Sequence, residues 1–474
     1  MDGRLPTVSI IIVNFNGRTY LRDCLNSILN LRYPKKNYEV IVVDNGSSDG
    51  SVGYLKNTFP WVNTIALQTN EGFTGGNNVG IEQAKGDCVV LLNNDTVVTP
   101  RWLTELVAAA NPPNVGIVSS KIFLSTEYAK VTLQSTTIQQ SELDNSTNFS
   151  PRGVLLENVH IKSEKKTNNT VWYESGFKNE KKVNGISLRW STGYSEIFLP
   201  LSQPENVFTF IFHGYPVDRG IDAKATLKLG KKVVVDTTLS ACSVQAHTIT
   251  IKKKDASSHT FQLIQNAGNV VLSNGYSKDR GSVLRLSLPE YLEFYERDSE
   301  FYEKPTKLVA ACGAAMLIKK EVIEQIGKLD GHYFMYYEDI DFSLRAWRMG
   351  WDIAYAPKAK LFHIHRASSG KEETSFFIKM TEKNHLFLVF THLKFSVCVS
   401  EYFLFLSRLV MATIRQFVFR FTKWHKYALW KTRASGRLEA FIAFHQQLPH
   451  LIWKRLWWQK RYLRSYKELE QLLY

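Results

Sequence analysis

The sequence of 474 residues predicts an α/β protein in which a mostly parallel sheet with helices on both faces is interrupted by an all-β sandwich insertion and followed by C-terminal amphipathic helices. Three features predict this order. Buried strand-like runs alternate with helical spacing up to about residue 125, short alternating segments with frequent turns follow to about residue 265, and helical patterns resume near Leu308. The predicted domains are therefore residues 1–125, 126–265, 266–380 and 381–474.

The N-terminal part alternates buried strands with helices. Continuous apolar runs are typical of strands that are buried on both faces of a parallel sheet. The predicted strands are Val8–Val13, Val40–Val43, Ile65–Leu67 and Val89–Leu92, and the predicted helices are Thr19–Leu31, Val79–Lys85 and Pro100–Ala110. The segment Gly72–Asn78 is predicted to be a glycine-rich loop. Ligands of such sheets bind at the carboxyl ends of the strands, and Asn- and Asp-rich loops follow several of these runs.

The predicted insertion is rich in Thr, Val, Phe and Tyr, with turn residues about every ten positions, which is the pattern of a β-sandwich. Its aromatic residues Trp172, Tyr173, Trp190 and Tyr194 could stack on sugar rings, so a carbohydrate-binding role is one interpretation and core packing is the other. The elements predicted after the insertion are the helices Glu321–Gly327, Asp339–Met349 and Val399–Phe421 and the strand Ile353–Ala356.

The C-terminal region carries most of the positive charge. The chain has 59 Lys and Arg against 44 Asp and Glu, a net charge of +15, and residues 383–474 contribute 16 basic and four acidic residues to it. A basic region with a long amphipathic helix and several Trp residues suits an anionic membrane surface, with nucleic acid as the rival partner. We expect a membrane surface and no nucleic acid. The run Leu386–Leu406 is interrupted by charged residues, so a spanning helix is not expected.

Composition excludes several classes of protein. Its 44% hydrophobic and 22% charged residues are ordinary for a globular protein and exclude an intrinsically disordered chain. Five scattered cysteines with no CxxC pair argue against a disulfide framework or a zinc module and fit a reducing compartment. No secretory signal is recognised. We therefore expect a cytoplasmic protein, peripheral on the inner face of the cell membrane.

Two loops offer polar groups to a ligand. Asp44 ends a buried strand in VVDNGSSDG, where a carboxylate can accept hydrogen bonds from a base or ribose, and an Asx-turn without a ligand is the alternative. The run from Asn70 to Asn78 places glycines before a helix, where backbone N–H groups can approach an anion. A flexible surface loop is the alternative there.

Three further clusters carry candidate acid–base or metal chemistry. Asp95 follows a buried strand, where a carboxylate can ligate a divalent cation that bridges two phosphates, and a simple turn is the alternative. Glu338, Asp339 and Asp341 lie at a helix start, where repulsion between carboxylates can raise a pKa enough for a general base, and helix capping is the alternative. His363 begins a His-x-His pair that could ligate a metal, although surface or core histidines are more common.

The order of these motifs is more specific than any one of them. The segments are VSIIIVNFNG (8–17), VVDNGSSDGS (42–51), NEGFTGGNNVG (70–80), LLNNDTVVTPRWL (91–103), ACGAAMLIKK (311–320) and GKLDGHYFMYYEDIDFSLRAWRMGWDIAYAPKAKLFHIH (327–365). In this order they resemble the family 2 glycosyltransferases of the GT-A fold, particularly the rhamnosyltransferase-like branch that builds bacterial cell-surface polysaccharides. The resemblance covers about residues 7–125 and 265–390.

The resemblance implies roles for the residues that match the family's motifs. The implied donor-binding residues are Asn14, Asp44, Asn70, Gly72, Phe73, Gly76, Asn77, Asn78 and Asn94. Asp95 would bind Mg²⁺ or Mn²⁺ together with His363, with His365 as the alternative ligand. Asn93 stands where the family's Asp-x-Asp motif has its first carboxylate. Asp339 would be the catalytic base, supported by Glu338.

The activity implied by the resemblance is transfer of a sugar from a nucleotide-sugar to a saccharide acceptor with inversion at the anomeric carbon. A dTDP-rhamnose-like donor and a lipid-linked acceptor are favoured, in surface-polysaccharide assembly on an anionic membrane. A UDP-hexose donor for the same fold is one alternative. A non-catalytic carbohydrate-binding protein on a degenerate transferase scaffold is the other.

Overall fold

A computed structural model of the chain describes residues 4–139, 151–162, 171–178, 181–183, 186–216, 220–256, 260–287, 290–364, 374–422 and 424–474. These residues fall into two compact units. The α/β unit takes its residues from Met1–Phe123, Ile264–Val283 and Ser299–Tyr474, and the β unit from Leu124–Leu263 and Leu284–Asp298.

Strands and helices alternate up to residue 135, strands dominate up to residue 297, and helices dominate the remainder. The first group is β1 (Val8–Asn14), α1 (Arg18–Leu29), β2 (Tyr38–Asp44), α2 (Ser51–Thr58), β3 (Asn63–Ala66), α3 (Gly72–Gln83), β4 (Cys88–Asn93), β5 (Thr96–Val98), α4 (Trp102–Ala109) and β6 (Val115–Ser135). The second group is β7 (Ile138–Gln139), β8 (Pro151–Arg152), β9 (Leu155–Glu157), β10 (His160–Lys162), β11 (Trp172–Phe177), β12 (Lys181–Val183), β13 (Ile186–Leu201), β14 (Glu205–His213), β15 (Ala223–Leu229), β16 (Lys232–Leu239), β17 (Val244–Lys252), α5 (Lys253–Ala256), β18 (Thr260–Asn266), β19 (Asn269–Val271), β20 (Ser277–Asp279), β21 (Ser282–Ser287) and β22 (Glu290–Arg297). The third group is β23 (Thr306–Leu308), β24 (Ala315–Lys319), α6 (Lys320–Ile326), α7 (Glu338–Arg348), β25 (Asp352–His363), α8 (Ser375–His392), α9 (Phe395–Thr422), α10 (Trp424–Gln459) and α11 (Tyr466–Glu470).

The α/β unit is built on a sheet in which β3, β2, β1 and β4 are parallel neighbours in that order, and β24 pairs antiparallel with β4. Both faces of β1 are covered, since Ile10 and Ile12 pack in the cluster that includes α1, while Ile11 lies against α3. Burial on both faces explains the continuous apolar runs. Register sets Asn14 of β1 opposite Asp44 of β2, so the polar strand ends meet at one edge of the sheet.

The prediction of a loop at Gly72–Asn78 is wrong, because this segment forms the first turns of helix α3. Its glycines allow close packing of the helix on the sheet. A Cβ atom at Gly76, a predicted donor-binding residue, would lie 2.8 Å from Val13 Cγ1, and one at Gly80 would clash with Ile11. A glycine-rich sequence can reflect either close helix packing or phosphate binding, and composition alone does not distinguish the two.

The β unit consists of two antiparallel sheets that share one hydrophobic core, as the predicted β-sandwich requires. One sheet orders β16, β15, β6, β13 and β11, and the other sets β14 between β17 on one side and β9 and β10 on the other. Strand β13 joins both sheets, because its first residues pair with β9 and its last residues with β6. Leu133, Leu199, Phe210 and Leu227 are fully buried in the shared core.

The two units differ from the predicted domains in two places. Residues 284–298, predicted to belong to 266–380, are part of the β unit, because β22 pairs with β18. Residues 381–474, predicted as a separate tail, belong to the α/β unit. Their helices pack there through a core that includes Tyr333, Phe387 and Phe444.

The aromatic residues considered for sugar stacking have different surroundings within the β unit. Tyr194 is 51% exposed. Trp190 and Tyr173 are partly buried against the core, and the Arg189 guanidinium lies 4.1 Å above the Tyr173 ring. Trp172 lies in the second apolar cluster of the unit. A carbohydrate-binding role for this unit stays a prediction.

Helix α9 has one buried and one exposed face. Cys398, Phe405 and Ala412 are buried among the neighbouring helices. The exposed apolar side chains, which recur at helical spacing, are Phe403, Leu404, Val410, Met411, Ile414, Phe417, Val418 and Phe421. Among the described residues, this helix alone is long and apolar enough to cross a membrane, by length and composition. Its first part, up to Leu406, overlaps the run Leu386–Leu406, in which the sequence predicts no spanning helix. Most of the helix lies beyond that run.

Candidate active site

The carboxyl edge of the parallel strands carries a buried hydrogen-bond network. Asn14 donates from Nδ2 to Asp44 Oδ2 over 2.9 Å, and Asn94 donates from Nδ2 to Asn14 Oδ1 over 2.7 Å. The other oxygen of Asp44 accepts the backbone N–H of Ser47 at 2.9 Å. All three predicted donor-binding residues are buried. They lie together, and their mutual hydrogen bonds fix the shape of this edge.

Asn45, which the sequence analysis did not single out, joins this edge to the start of α3. Its Nδ2 donates to Asn70 Oδ1 and to the Gly72 carbonyl, and its Oδ1 accepts the Glu71 N–H, each over 2.9 Å. Gly72 has a left-handed φ of 73°, and a Cβ atom there would lie 2.5 Å from the Phe334 carbonyl. The turn therefore requires glycine. Asn70 and Gly72 shape the backbone at this point.

The remaining predicted donor residues on α3 make contacts within the protein. Asn77 is buried and donates to the Phe73 carbonyl over 2.8 Å, one turn earlier in the helix. Asn78 makes two hydrogen bonds to the backbone of Leu329, at 2.8 and 3.1 Å. Phe73 lies 3.5 Å from the position that a Cβ atom would take at Gly313. Asn77 and Asn78 therefore brace α3, and their donor-binding role stays a prediction.

Asp95 and His363 lie side by side just beyond the end of β4. Strand β5 pairs with β25, and this pairing sets His363 opposite Thr96. His363 Nε2 is 3.0 Å from Asp95 Oδ1, and His363 Nδ1 is 2.7 Å from Gln265 Oε1. Asp95 is 8% exposed and His363 is 4% exposed. The predicted alternative ligand, His365, lies outside the described residues.

This pair of side chains fits a divalent cation. In the tautomer that donates its Nδ1–H to Gln265, the His363 Nε2 lone pair faces the Asp95 carboxylate 3.0 Å away and the Asn93 amide nitrogen, a donor, 3.4 Å away. Two acceptors at that distance repel unless a proton or a cation lies between them. Two ligands about 2.1 Å from an octahedral ion are about 3.0 Å apart, as these atoms are. Gln265 would set the tautomer of the ligating imidazole.

Asp339 lies in the first turn of α7 and is held by three donors. Its Oδ2 accepts the backbone N–H of Gly313 at 2.9 Å and Asn269 Nδ2 at 3.3 Å, and its Oδ1 accepts the Ile340 N–H at 2.8 Å. Burial raises the pKa of Asp339, and the two backbone N–H groups oppose that rise. A Cβ atom at Gly313 would lie 3.3 Å from Asp339 Cβ. The carboxylate is thus fixed in one orientation, as a general base must be.

Glu338 is 6% exposed, and burial raises its pKa well above the ordinary value, with the neighbouring Asp339 charge adding to the rise. Its buried Oε2 has no hydrogen-bond partner within the described parts of the chain. Such a site favours the neutral carboxyl group. We therefore expect Glu338 to be protonated where Asp339 is ionised, so that it adds no second negative charge beside the base.

The segment leading into α7 is strained and is held by α8. Phe334, Tyr336 and Tyr337 have left-handed φ values of 65°, 70° and 70°, which residues with side chains rarely adopt. The buried Asn384 of α8 donates its Nδ2 to three carbonyl oxygens of this segment at 2.8 or 2.9 Å. These hydrogen bonds offset the strain and fix the position at which Glu338 begins the helix.

One loop borders both the base and the metal ligands. In the segment 312–314, Gly313 donates its N–H to Asp339, while the Ala314 carbonyl accepts the N–H of Asn93 at 2.9 Å. Asn93 ends β4, two residues before Asp95. The predicted base and the strand end that precedes Asp95 are thereby joined by the same piece of backbone.

Sequence analysis missed several residues that complete this site. Asn45 lies next to Asp44 in VVDNGSSDGS, and Gly313 lies in ACGAAMLIKK. Their positions within these motifs could have identified both as site residues. Gln265, Asn269 and Asn384 carried no such signal. Each is identified only by a hydrogen bond to a residue far along the chain.

Two family models match this chain. Glycosyl transferase family 2 matches residues 9–165, and Glycosyltransferase like family 2 matches residues 244–384. The matched segments include Asp44, Asp95, Asp339 and His363.

Curated relatives are similar over short segments. Glycosyltransferase AglE of Haloferax volcanii is 31% identical over 125 residues, which are 26% of this chain and 41% of AglE. The O-antigen biosynthesis protein RfbC of Myxococcus xanthus is 36% identical over 121 residues, 25% of this chain and 9% of RfbC. The poly(ribitol-phosphate) beta-N-acetylglucosaminyltransferase TarS of Staphylococcus aureus is 30% identical over 103 residues, 21% of this chain and 18% of TarS. This chain thus spans less than half the length of these relatives.

Solved structures of glycosyltransferases are also similar. S. aureus TarS 1–349 in complex with UDP-GlcNAc shows 26% identity, covers 24% of this chain and 34% of that chain, and gives a TM-score of 0.23. The mannosyltransferase PcManGT from Pyrobaculum calidifontis, in complex with GDP-Man and Mn²⁺, shows 11% identity, covers 93% of this chain and 88% of that chain, and gives a TM-score of 0.38.

The family matches and the curated relatives support a place for this chain in glycosyltransferase family 2. The predicted fold class is confirmed. The parallel strands β3, β2, β1 and β4 have helices on both faces, antiparallel strands extend this sheet, and the sandwich and the C-terminal helices are present. The rhamnosyltransferase-like branch stays a prediction.

Proposed function

We propose that this chain is a glycosyltransferase that moves a sugar from a nucleotide-sugar to an acceptor hydroxyl with inversion at the anomeric carbon. The observation that carries the proposal is the fixed carboxylate of Asp339, held by Gly313 in the loop that also meets the end of β4. A fixed, half-buried base beside a polar strand edge is the arrangement that displacement on a bound nucleotide-sugar needs.

In the proposed reaction, the acceptor hydroxyl gives its proton to Asp339 as its oxygen bonds to the anomeric carbon. The bond from that carbon to the diphosphate oxygen breaks, and the nucleotide leaves with the electron pair. Attack from the face opposite the leaving group inverts the configuration. The edge formed by Asn14, Asp44 and Asn94 would receive the nucleotide, because strand carboxyl ends are where such sheets bind ligands.

Asp95 and His363 would hold Mg²⁺ or Mn²⁺, with Gln265 orienting the imidazole. A cation held by these two residues would supply charge neutralisation for the departing diphosphate. Asn93 stands where the family's Asp-x-Asp motif has its first carboxylate, so Asp95 would be the acidic ligand of this motif.

The donor is proposed to be dTDP-rhamnose-like and the acceptor a lipid-linked saccharide, on the strength of the motif resemblance. TarS is a beta-N-acetylglucosaminyltransferase whose structure has been solved with UDP-GlcNAc, which makes a UDP-hexose the second donor to test. RfbC, named for O-antigen biosynthesis, supports a role in surface-polysaccharide assembly.

Nucleotide binding is expected to raise the unfolding temperature in a metal-dependent way. A ligand that binds only the native state stabilises it by about 2.7 kcal/mol at a hundredfold excess over its Kd. We expect one of dTDP, UDP and GDP to shift the melt of metal-stripped wild type when Mn²⁺ is added. The Asp95→Ala and His363→Ala variants should lose the Mn²⁺-dependent part.

The matched controls are Asp222→Ala and His160→Ala, which change exposed residues of the β unit and should keep the full shift. Folded wild type that responds to no nucleotide would contradict the transferase proposal and favour the non-catalytic carbohydrate-binding alternative. A shift that does not depend on Mn²⁺ would remove the cation from the mechanism and keep the donor site.

We also propose that the exposed apolar stripe of α9 lies on the inner face of an anionic membrane. The stripe includes Phe403, Phe417 and Phe421, and basic residues continue through α9 and α10. An apolar face that enters the headgroup region, with basic side chains beside it, is the pattern of an interfacial helix. Each basic residue near an anionic surface adds about 1 kcal/mol of attraction.

Wild type is expected to sediment with vesicles that contain anionic lipid at low salt. The double variant Phe403→Gln, Phe417→Gln should bind at least about tenfold more weakly, because each exposed phenyl ring that enters the lipid contributes about 1.5–3 kcal/mol. The control Ile221→Gln, Val244→Gln changes exposed apolar residues of the β unit and should bind as wild type does. Wild type that stays in the supernatant, or that binds RNA in place of vesicles, would contradict the proposal.

A further inference from the structure

A second group of metal-ligating side chains lies outside the candidate active site. Asp330, His332 and His450 each offer one ligand atom, and these atoms all lie within 4.8 Å of one another. Asp330 and His332 belong to the turn before α7, whereas His450 lies in α10. Two imidazoles and one carboxylate are a ligand set that Zn²⁺ sites use, with one coordination position left open.

The turn presents its two ligands in a fixed arrangement. His332 Nδ1 lies 2.8 Å from Asp330 Oδ1, and the same oxygen accepts the His332 backbone N–H at 3.0 Å. The other carboxylate oxygen, Asp330 Oδ2, is bound by Lys454 Nζ at 2.5 Å. Lys454 therefore orients Asp330 and leaves Oδ1 to face the histidines. A metal ion would replace the proton that joins Asp330 and His332.

His450 supplies the observation that points to a ligand. Its Nε2 is buried and has no hydrogen-bond partner among the residues that the structure describes. Its ring stacks on the His332 ring with centroids 4.0 Å apart. Leaving a buried polar atom unsatisfied costs about 1–3 kcal/mol. A cation shared with Asp330 and His332 would remove that cost, once one of the two stacked rings turns its nitrogen lone pair toward the ion.

We propose that Asp330, His332 and His450 form a binding site for a transition-metal ion of the Zn²⁺ type. Two imidazole nitrogens and one carboxylate oxygen favour Zn²⁺, Ni²⁺ or Cu²⁺ over Mg²⁺, which prefers oxygen ligands. The site is separate from Asp95 and His363. A bound ion would link α10 to the turn that contains Asp330 and His332. The strained segment runs from that turn to Glu338, so the ion would connect the C-terminal helices to the helix of the candidate base.

The test is titration of the metal-stripped full chain with Zn²⁺ by calorimetry, with Co²⁺ absorption as a spectroscopic readout of coordination. Wild type should bind one Zn²⁺ that His332→Ala and His450→Ala each weaken by more than about tenfold. The variant His363→Ala should keep this binding. His160→Ala, which removes an exposed histidine of the β unit, is the matched control.

His332 is exposed and His450 is half-buried, so both variants should fold, and circular dichroism checks this. Zn²⁺ binding that is unchanged in both variants would overturn the proposal. So would binding that disappears in His363→Ala alone, and so would wild type that takes up no Zn²⁺. None of these results depends on transferase activity, so the site can fail while the proposed function stands.

Discussion

Replacing Asp339 with Asn is expected to lower the turnover rate by about 10²–10⁴-fold and to leave nucleotide binding unchanged. Asparagine keeps the size of the side chain and an oxygen that can accept the Gly313 N–H, but it cannot take the acceptor proton. Product formation with the nucleotide-sugar selected by the melting assay measures the rate. The melting shift with the free nucleotide measures binding.

The pH dependence of the rate gives an independent test of Asp339. Burial raises its pKa above the ordinary value for an aspartate, about 3.9. The base works in its ionised form, so the rate should be full above the raised pKa and fall as the pH drops through it. The acidic limb of kcat should therefore lie above pH 4. An Asp339→Asn variant within threefold of wild type, or a rate without that limb, would contradict the assignment, and Asp222→Asn is the control.

The strand edge could be predicted from the sequence because its signals are local. A buried apolar run that ends in Asp44, or in Asn93 before Asp95, places a polar group at a strand terminus, and parallel strands bring their termini together. The helix beginning at Glu338 follows equally from local spacing. The motifs therefore predict which strand ends and which helix form the site.

The partners of these residues could not be predicted, because they are distant along the chain. Gln265 meets His363 across 98 positions, and Asn269 meets Asp339 across 70. Neither the hydrophobic periodicity of the sequence nor the spacing of its motifs indicates that two such distant residues form a hydrogen bond. The loop predicted at Gly72–Asn78 fails for a related reason, since the glycines are set by the approach of α3 to β1, which exists only in the folded sheet.

The acidic cluster shows how one sequence feature divides in the structure. Glu338, Asp339 and Asp341 were grouped as candidates for acid–base chemistry, but Asp339 is hydrogen-bonded to Gly313 at the candidate site, whereas Asp341 belongs to a separate network. Asp341 is fully buried, where it receives Arg345 Nε at 2.9 Å and Lys454 Nζ at 2.8 Å. Helical geometry turns its side chain toward α8 and α10. Its role is structural.

The structural role of Asp341 depends on opposite charges that are buried with it. Burial opposes ionisation, but Lys454 and Arg345, helped by His392, hold the pKa of Asp341 well below its usual range. Burial lowers the pKa of His392 to about 4, so near neutral pH this histidine is an uncharged donor. The network therefore joins the candidate base's own helix to α8 and α10 through one carboxylate.

Replacing Asp341 with Asn is expected to lower the free energy of unfolding by about 3–5 kcal/mol, because it leaves the buried Arg345 guanidinium without its carboxylate and leaves Lys454 with Asp330 as its remaining counter-charge. Equilibrium denaturant unfolding of the full chain measures the change. The control is Glu205→Gln, which breaks the surface ion pair with Lys252 and should cost at most about 0.5 kcal/mol.

The pH dependence of this loss has a definite sign. A carboxylate whose pKa is depressed by folding stabilises the protein above its unfolded pKa, about 3.9, and loses that contribution as the pH falls toward the folded value. The difference between wild type and Asp341→Asn should therefore be the same at pH 7 and pH 5 and shrink only below about pH 4. A variant within about 1 kcal/mol of wild type at pH 7 would show that the surrounding charges are solvated without Asp341, and that the C-terminal helices are held by their apolar core alone.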